Sequence, residues 1–456
     1  MKRRATELFA AWSITAALLI GCSTSTAAPL IGCSTSRPSV SSNPTPPTRE
    51  VLPNGLRLIV QEHRTAEIVA VQLWVGVGGR DEAPSERGFS HFAEHMLFKG
   101  TERLGPGFVD REVERVGGRT NAATSLDYTY YYMLLPSRRA ERAVEVMADM
   151  AFNSTFDPTE LGREREVVFE EVRVGEDNPR SFLVRRLYEQ VFAGHPYGFP
   201  VLGDPVALRA ASRETLRAYY KRHYVASNMT LVVVGAVDPA LVRAAALRAF
   251  GDATGGAFKR AVLPPRPALG ENRPQSIERS ERQAYLGLGW RAPRLGDRDM
   301  YAVDLLSHIL GGSLTSRLTQ SLRERARLVS TINAGYGTLQ GGGVVTVTAQ
   351  LEAKDLEATE AAILAEVRRI QTERVSTAEV ERAVTAAEAE RVFGRETAEG
   401  LALAYGRAET VWSLEEDRAY VARLNRVTRE QIQEAARRYF TGPYARLALV
   451  PKRPGS

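Results

Sequence analysis

Residues 212–234, SRETLRAYYKRHYVASNMTLVVV, have a counterpart 216 residues further along the chain, TREQIQEAARRYFTGPYARLALV. Thr428 falls on Ser212, Phe440 on Tyr224 and Leu447 on Leu231. A period this long is no solenoid repeat, whose units run to roughly 20–50 residues. It is an internal duplication, and it restricts the chain to two halves built on one plan. Each copy reads as a helix followed by a buried strand, so each half is an α/β unit. The 456 residues are enough for two such units with sizeable cores. The expected fold class is α+β, two duplicated α/β sandwich domains, at 49–255 and 276–452, with a Gly/Pro-rich linker at 256–275.

The order of elements supports this reading. VLPNGLRLIVQEHR, from Val51, reads as two short strands around PNG, and AEIVAVQLWVGVGG as a buried strand. NAATSLDYTYYYMLLP reads as one strand rich in Thr and Tyr. SRRAERAVEVMADMAFN and PTELGREREVVFEEVRVGEDNP have helical apolar spacing. The second half offers a strand at RQAYLGLGWRAP, helices at MYAVDLLSHILGG and TSRLTQSLRERA, and a strand at GGGVVTVTAQL. Two long helical stretches follow, near 354–397 and 398–426.

The first residues read as a targeting segment. Lys2, Arg3 and Arg4 precede an apolar run of 13 residues, 8–20, too short to span a bilayer as a mature helix. LIGC follows and resembles the bacterial lipobox, whose Cys becomes a lipidated N-terminus. LIGCSTS occurs twice, at 19–25 and 30–36. The first copy abuts the apolar run, which favours Cys22 over Cys33 as the acylated residue. The reading is a signal peptide at 1–21, a Ser/Pro/Thr-rich tether at 22–48, and a body facing the periplasm on a lipid anchor, with the outer membrane favoured. Cys22 and Cys33 are the only cysteines, so the folded body has neither a disulfide nor a cysteine metal ligand.

The formal charge of +6 falls to +4 once Lys2, Arg3, Arg4 and Glu7 leave with the signal. Only six of the 60 basic residues are lysines, and no dense basic run with interleaved aromatics occurs. The charge describes a solvated arginine-rich surface and no nucleic-acid partner.

Two of the six histidines fall in GFSHFAEHMLFKGT, residues 88–101. On a helix, His91 and His95 share one face, one turn apart, and can offer two imidazoles to one ion. Glu94 flanks that face. A hydrolytic zinc site needs three protein ligands, an open position and a carboxylate to take a proton from water. The third ligand should be a carboxylate or His from another segment. At the 216-residue offset His91 falls on Ser307, Glu94 on Leu310 and His95 on Gly311, so only the first half carries the chemistry.

His-x-x-Glu-His is the inverted zincin signature. With GFSHFAEHMLFKGT, VGGRTNAATSLDYTYYY, EREVVFEEVRVGEDNP and HPYGFPVLG in this order, the chain resembles the M16 metallopeptidases, the group of pitrilysin and mitochondrial processing peptidase, across roughly residues 50–450. The resemblance implies one Zn²⁺ per chain on His91, His95 and Glu171, the last lying 76 residues after His95 with Glu166 and Glu170 close by. It implies Glu94 as general base and Glu164 as a carboxylate supporting the ligands. It also implies substrate binding at an edge strand through Asn121, Ala122 and Thr124.

Active members carry an Arg and, seven residues on, a Tyr that bind the substrate backbone. Here LRERARLVS keeps Arg323, but Ser330 stands at the Tyr position and Arg327 at that of a Gly; Tyr336 is near. The function expected is a zinc endopeptidase acting on peptides or unfolded segments. It would work as the catalytic subunit of a heterodimer with a similar chain, or as a homodimer or monomer. The competing class is a non-catalytic subunit or assembly factor of the same fold.

Overall fold

The run Ile68–Val75 is apolar at nearly every position because both faces of its sheet are covered, the pattern of a central strand. Val69, Val71, Leu73 and Val75 pack into one core, and Ala70 and Trp74 into another on the opposite face. The computed structural model describes residues 46–251, 253, 258–267, 269–270 and 274–452; Cys22 and Cys33 lie outside the described residues.

The first half runs β1 (Thr48–Val51), β2 (Arg57–Glu62), β3 (Ile68–Val75), α1 (Phe89–Leu97), α2 (Phe108–Glu114), β4 (Arg119–Thr124), β5 (Thr129–Pro136) and α3 (Ala140–Asn153). It continues through α4 (Pro158–Asp177), α5 (Pro179–Val191), α6 (Pro205–Ala210), α7 (Arg213–His223), β6 (Met229–Gly235) and α8 (Pro239–Phe250). The second half runs β7 (Gln275–Arg279), β8 (Ala284–Ala292), α9 (Met300–Gly311), β9 (Thr331–Leu339), β10 (Gly342–Leu351) and α10 (Leu356–Thr372). It ends with α11 (Thr377–Phe393), α12 (Ala398–Val411), α13 (Leu414–Leu424), α14 (Arg429–Phe440) and β11 (Ala445–Pro451).

The duplication is visible in the strand order. One sheet reads β1-β2-β6-β3-β5-β4 and the other β7-β11-β8-β10-β9, the same succession with β1 added. In both, one pair is parallel, β2 with β6 and β7 with β11, and the rest are antiparallel. β4 and β9 occupy equivalent sheet edges.

The halves exchange helices. α5, from the first half, covers β8 and β11 of the second sheet, where Leu183, Leu187 and Val191 bury against Leu447 and Leu449. α12, from the second half, covers β3 and β6, where Ala398, Leu401 and Ala402 meet Ile59, Trp74 and Val232. The close approach depends on Gly406, because a Cβ there would lie 1.9 Å from Nε1 of Trp74. Polar ties add to this. Arg260, in the stretch read as a linker, reaches Asp81 at 2.9 Å and Gln340 of the β9–β10 turn at 2.9 Å. Asp127 accepts from the Tyr197 hydroxyl at 2.6 Å and from the Gln340 backbone at 3.0 Å.

Four local expectations change. NAATSLDYTYYYMLLP is a hairpin, β4 and β5, closed by Ser125 N–H donating to Tyr128 O at 2.7 Å; Ser and Asp supply the turn. The stretch 354–397 breaks into α10 and α11 where Ser376 and Glu379 form a reciprocal cap. The stretch 398–426 breaks at Trp412, and Ser413 caps α13. TSRLTQSLRERA becomes a π-helical turn at Thr319–Arg325, and the following TINAGYGTL is strand β9.

Candidate metal centre

Helix α1 is buried along most of its length, with Phe92, Ala93, Met96 and Leu97 in the core of the first half. Its N-terminus is held by Glu82, whose two carboxylate oxygens accept from Gly88 N–H and Ser90 N–H, each at 2.8 Å. These are orphan donors of a first helical turn, and a carboxylate there also meets the positive end of the helix dipole. Burial pushes Glu82 up to about 8, against the pull of those two backbone donors.

Opposite α1 lies α4, started by Asp157, which accepts from the N–H of Thr159 and Glu160, with Pro158 at its first position. Glu164 and Glu171 are two turns apart and share the face that meets α1. Nε2 of His91 and Nε2 of His95 are 3.3 Å apart. Oε2 of Glu171 is 3.3 Å from the first and 3.6 Å from the second. A tetrahedral zinc ion with bonds of about 2.0–2.1 Å separates its ligand atoms by roughly 3.3 Å. Two imidazoles and one carboxylate at this spacing fit such an ion and leave its fourth position for water or substrate.

The supporting groups agree with this use. Nδ1 of His95 faces Oε2 of Glu164 at 3.0 Å and so carries the proton, which turns Nε2 toward the centre. Burial opposes charge on His95, but Glu164 and Glu171 outweigh it and push the imidazole up to about 10. Burial likewise raises Glu171, yet its hydrogen bonds with His91 and His95 hold it far below the usual carboxylate range. Glu170 points away, 62% exposed and paired with Arg173 at 2.9 Å.

Glu94 is buried beside the histidines and accepts from the Thr124 hydroxyl at 2.6 Å. Asn121 is exposed and Ala122 buried on edge strand β4. Arg323 is not among these residues. It sits on the π-helical turn of the second half with its guanidinium 3.5 Å from Glu324. Arg327 has φ +53°, a left-handed conformation that explains a Gly at this position in the resembling family. Ser330 donates its hydroxyl to Gln350 O at 3.0 Å. Tyr336 is no free substitute, because its hydroxyl donates to Pro293 O at 2.6 Å.

In the second half, α9 occupies the place of α1. A Cβ on Gly311, the counterpart of His95, would lie 2.4 Å from the Ala334 nitrogen of β9, so no ligand fits there. Sequence reasoning missed Lys99, which contacts Glu164 at 2.7 Å. Its position one turn after His95 in HMLFK was the available signal. It also missed Glu82, whose contact with α1 follows from a loop that no periodicity describes.

Fold and donor set together define a class: a duplicated α/β protein with an inverted His-x-x-Glu-His motif in its first half, where His91, His95 and Glu171 form the one candidate metal-ligand cluster among the described residues. Two family descriptions match, "Insulinase (Peptidase family M16)" over residues 57–205 and "Peptidase M16 inactive domain" over 210–387. The chain belongs to peptidase family M16. It is 29% identical over 406 residues to the uncharacterized zinc protease YmxG of Bacillus subtilis, covering 87% of this chain and 96% of that one. It is 31% identical over 335 residues to an uncharacterized zinc protease of Rickettsia felis, covering 73% and 80% respectively. The solved structure of a protease from Helicobacter pylori shares the fold, with a TM-score of 0.84, 23% identity, and coverage of 90% of this chain and 100% of that one.

Proposed function

We propose that this protein is a zinc endopeptidase that cleaves peptides or unfolded segments at His91, His95 and Glu171, with Glu94 as general base. The observation that carries the reading is the tetrahedral spacing of the three donor atoms beside a fourth, buried carboxylate. Zinc held there would polarise the scissile carbonyl and acidify a water. Glu94 takes the proton from the attacking water and passes it to the leaving amine. Strand β4, at the end of its sheet, offers backbone donors and acceptors to which an extended peptide can add. Such docking favours unfolded substrates, because a folded one has no free strand to give.

The test is metal analysis of the purified chain with peptide hydrolysis before and after chelation. One zinc per chain and chelator-sensitive cleavage are expected. Glu94→Gln should keep the metal and lose roughly 10²–10⁴ in rate. Zinc bound with Glu94→Gln turnover unchanged would refute the role of Glu94.

The finer reading is a catalytic subunit of a two-chain enzyme. It is supported by Ser330 in the Tyr position and by Tyr336 being tied to Pro293. The isolated chain would then cleave poorly until a similar chain carrying the Arg and Tyr is added. Full activity alone, with no gain in Ser330→Tyr, would favour a self-sufficient enzyme; zinc bound without hydrolysis in any mixture would favour the non-catalytic subunit. The LIGC at 19–22 supports attachment to the bacterial envelope through a lipid on Cys22. Cys22→Ser should release the protein from membranes or block its processing; the same outcome from Cys33→Ser alone would move the site to the second copy.

A further inference from the structure

Thr124 stands where three parts of the site meet. It is the last residue of β4, opposite Thr129, with the two hydroxyls 3.3 Å apart. Thr129 donates to Val77 O at 2.9 Å, which fixes the end of the hairpin to the segment that leads from β3 toward α1. In an antiparallel pair, hydrogen-bonded and non-bonded positions alternate. The bonded pair Ser125–Tyr128 therefore makes Ala123 and Asn121 bonded positions, and leaves Thr124, Ala122 and Thr120 with backbone groups turned to the open edge. Thr124 thus presents its backbone to a docking peptide and its hydroxyl to Oε2 of Glu94 at 2.6 Å. That length is typical of a hydroxyl on a carboxylate, a bond stronger than one between neutral groups.

We propose that Thr124 is a positioning residue that ties the substrate-docking strand to the general base. Its hydroxyl holds one oxygen of Glu94 and leaves the other for the attacking water. A peptide added to β4 is thereby placed in register with Glu94 through a single side chain. The proposal rests on the peptidase reading above and adds to it the residue that sets where the base points. A catalytic group misplaced by about 1 Å can cost on the order of 10² in rate, and Glu94 has a carboxylate free to rotate once this donor is removed.

Thr124→Val keeps the shape and removes the hydroxyl, and Thr124→Ser keeps the hydroxyl. In the zinc-loaded enzyme, Thr124→Val should lower kcat by about 10- to 100-fold with KM little changed. Zinc affinity by chelator competition, and binding of an uncleaved peptide in a Glu94→Gln background, should stay within about twofold of the parent. Thr124→Ser should restore kcat to within a few-fold. In the double variant Glu94→Gln/Thr124→Val the loss should not exceed that of Glu94→Gln alone, because coupled residues are not additive. Wild-type turnover with kcat unchanged in Thr124→Val overturns this inference and leaves the peptidase reading standing. A fully additive double variant, or a Thr124→Val that loses zinc, overturns it too, since Thr124 would then act on the fold or the metal. Absence of turnover in the wild type overturns the peptidase reading itself, and this inference with it.

Discussion

The Nζ of Lys99 lies 2.7 Å from Oε1 of Glu164. The other oxygen of the same carboxylate holds Nδ1 of His95, so a cation one turn after His95 acts on this proposed metal ligand through Glu164. Removing a partner of a ligating histidine typically costs 10- to 100-fold in metal affinity, and about that is expected of Glu164→Gln. Lys99→Met, one layer further out and partly exposed, should cost less, about three- to tenfold, and Lys99→Arg less still. Chelator competition across the three variants checks the order. A larger loss in Lys99→Met than in Glu164→Gln would mean that Lys99 supports α1 by some other route.

Glu171 and Glu170 are neighbours on α4 but point apart, one toward the histidines and one toward Arg173 in solvent. Glu171→Gln should therefore weaken zinc binding strongly, while Glu170→Gln leaves it near that of the parent. A zinc titration giving the reverse order would move the third ligand to Glu170.

The pH dependence follows from His95, pushed up to about 10 in the metal-free protein from an ordinary 6.5. A raised value in the folded state means that the protonated imidazole stabilises the metal-free protein fully below about 6.5, and that this stabilisation is lost as pH rises through about 10. Zinc must displace that proton. Apparent affinity should accordingly rise about tenfold per unit between roughly pH 6 and 8. Chelation should also lower Tm more at pH 8 than at pH 6, because metal binding stabilises the fold by mass action. An affinity flat across this range would show that His95 carries no proton to displace.

Gly406 permits the contact between α12 and Trp74 that joins the halves. Gly406→Val should cost about 1–3 kcal/mol by overpacking, read from the denaturant midpoint. Gly442→Ala is the control, since nothing lies within 4 Å of a Cβ there. Equal midpoints for both variants would mean that α12 can shift away from β3 without loss.

Local chemistry and repetition make much of this protein legible in the order of its residues. The 216-residue offset identifies two halves of one plan, and the shared strand order bears this out. Helical geometry alone puts His91 and His95 on one face, and the resemblance supplies Glu171, which the fold brings within 3.3 Å of His91. These features depend on neighbours within a turn or on a motif, and so are written in consecutive residues. The exchange of α5 and α12 is not written that way. Either helix has an apolar face that could cover its own sheet, and only the mutual packing of the finished halves decides that it covers the other. Thr124 belongs to the same category. The resemblance names it for substrate binding on the edge strand, but its hydroxyl reaches Glu94 only because the hairpin turn and sheet register carry the end of β4 against α1. Contacts between residues 30 or 327 positions apart are set by the balance of packing over the whole molecule, which no local pattern records.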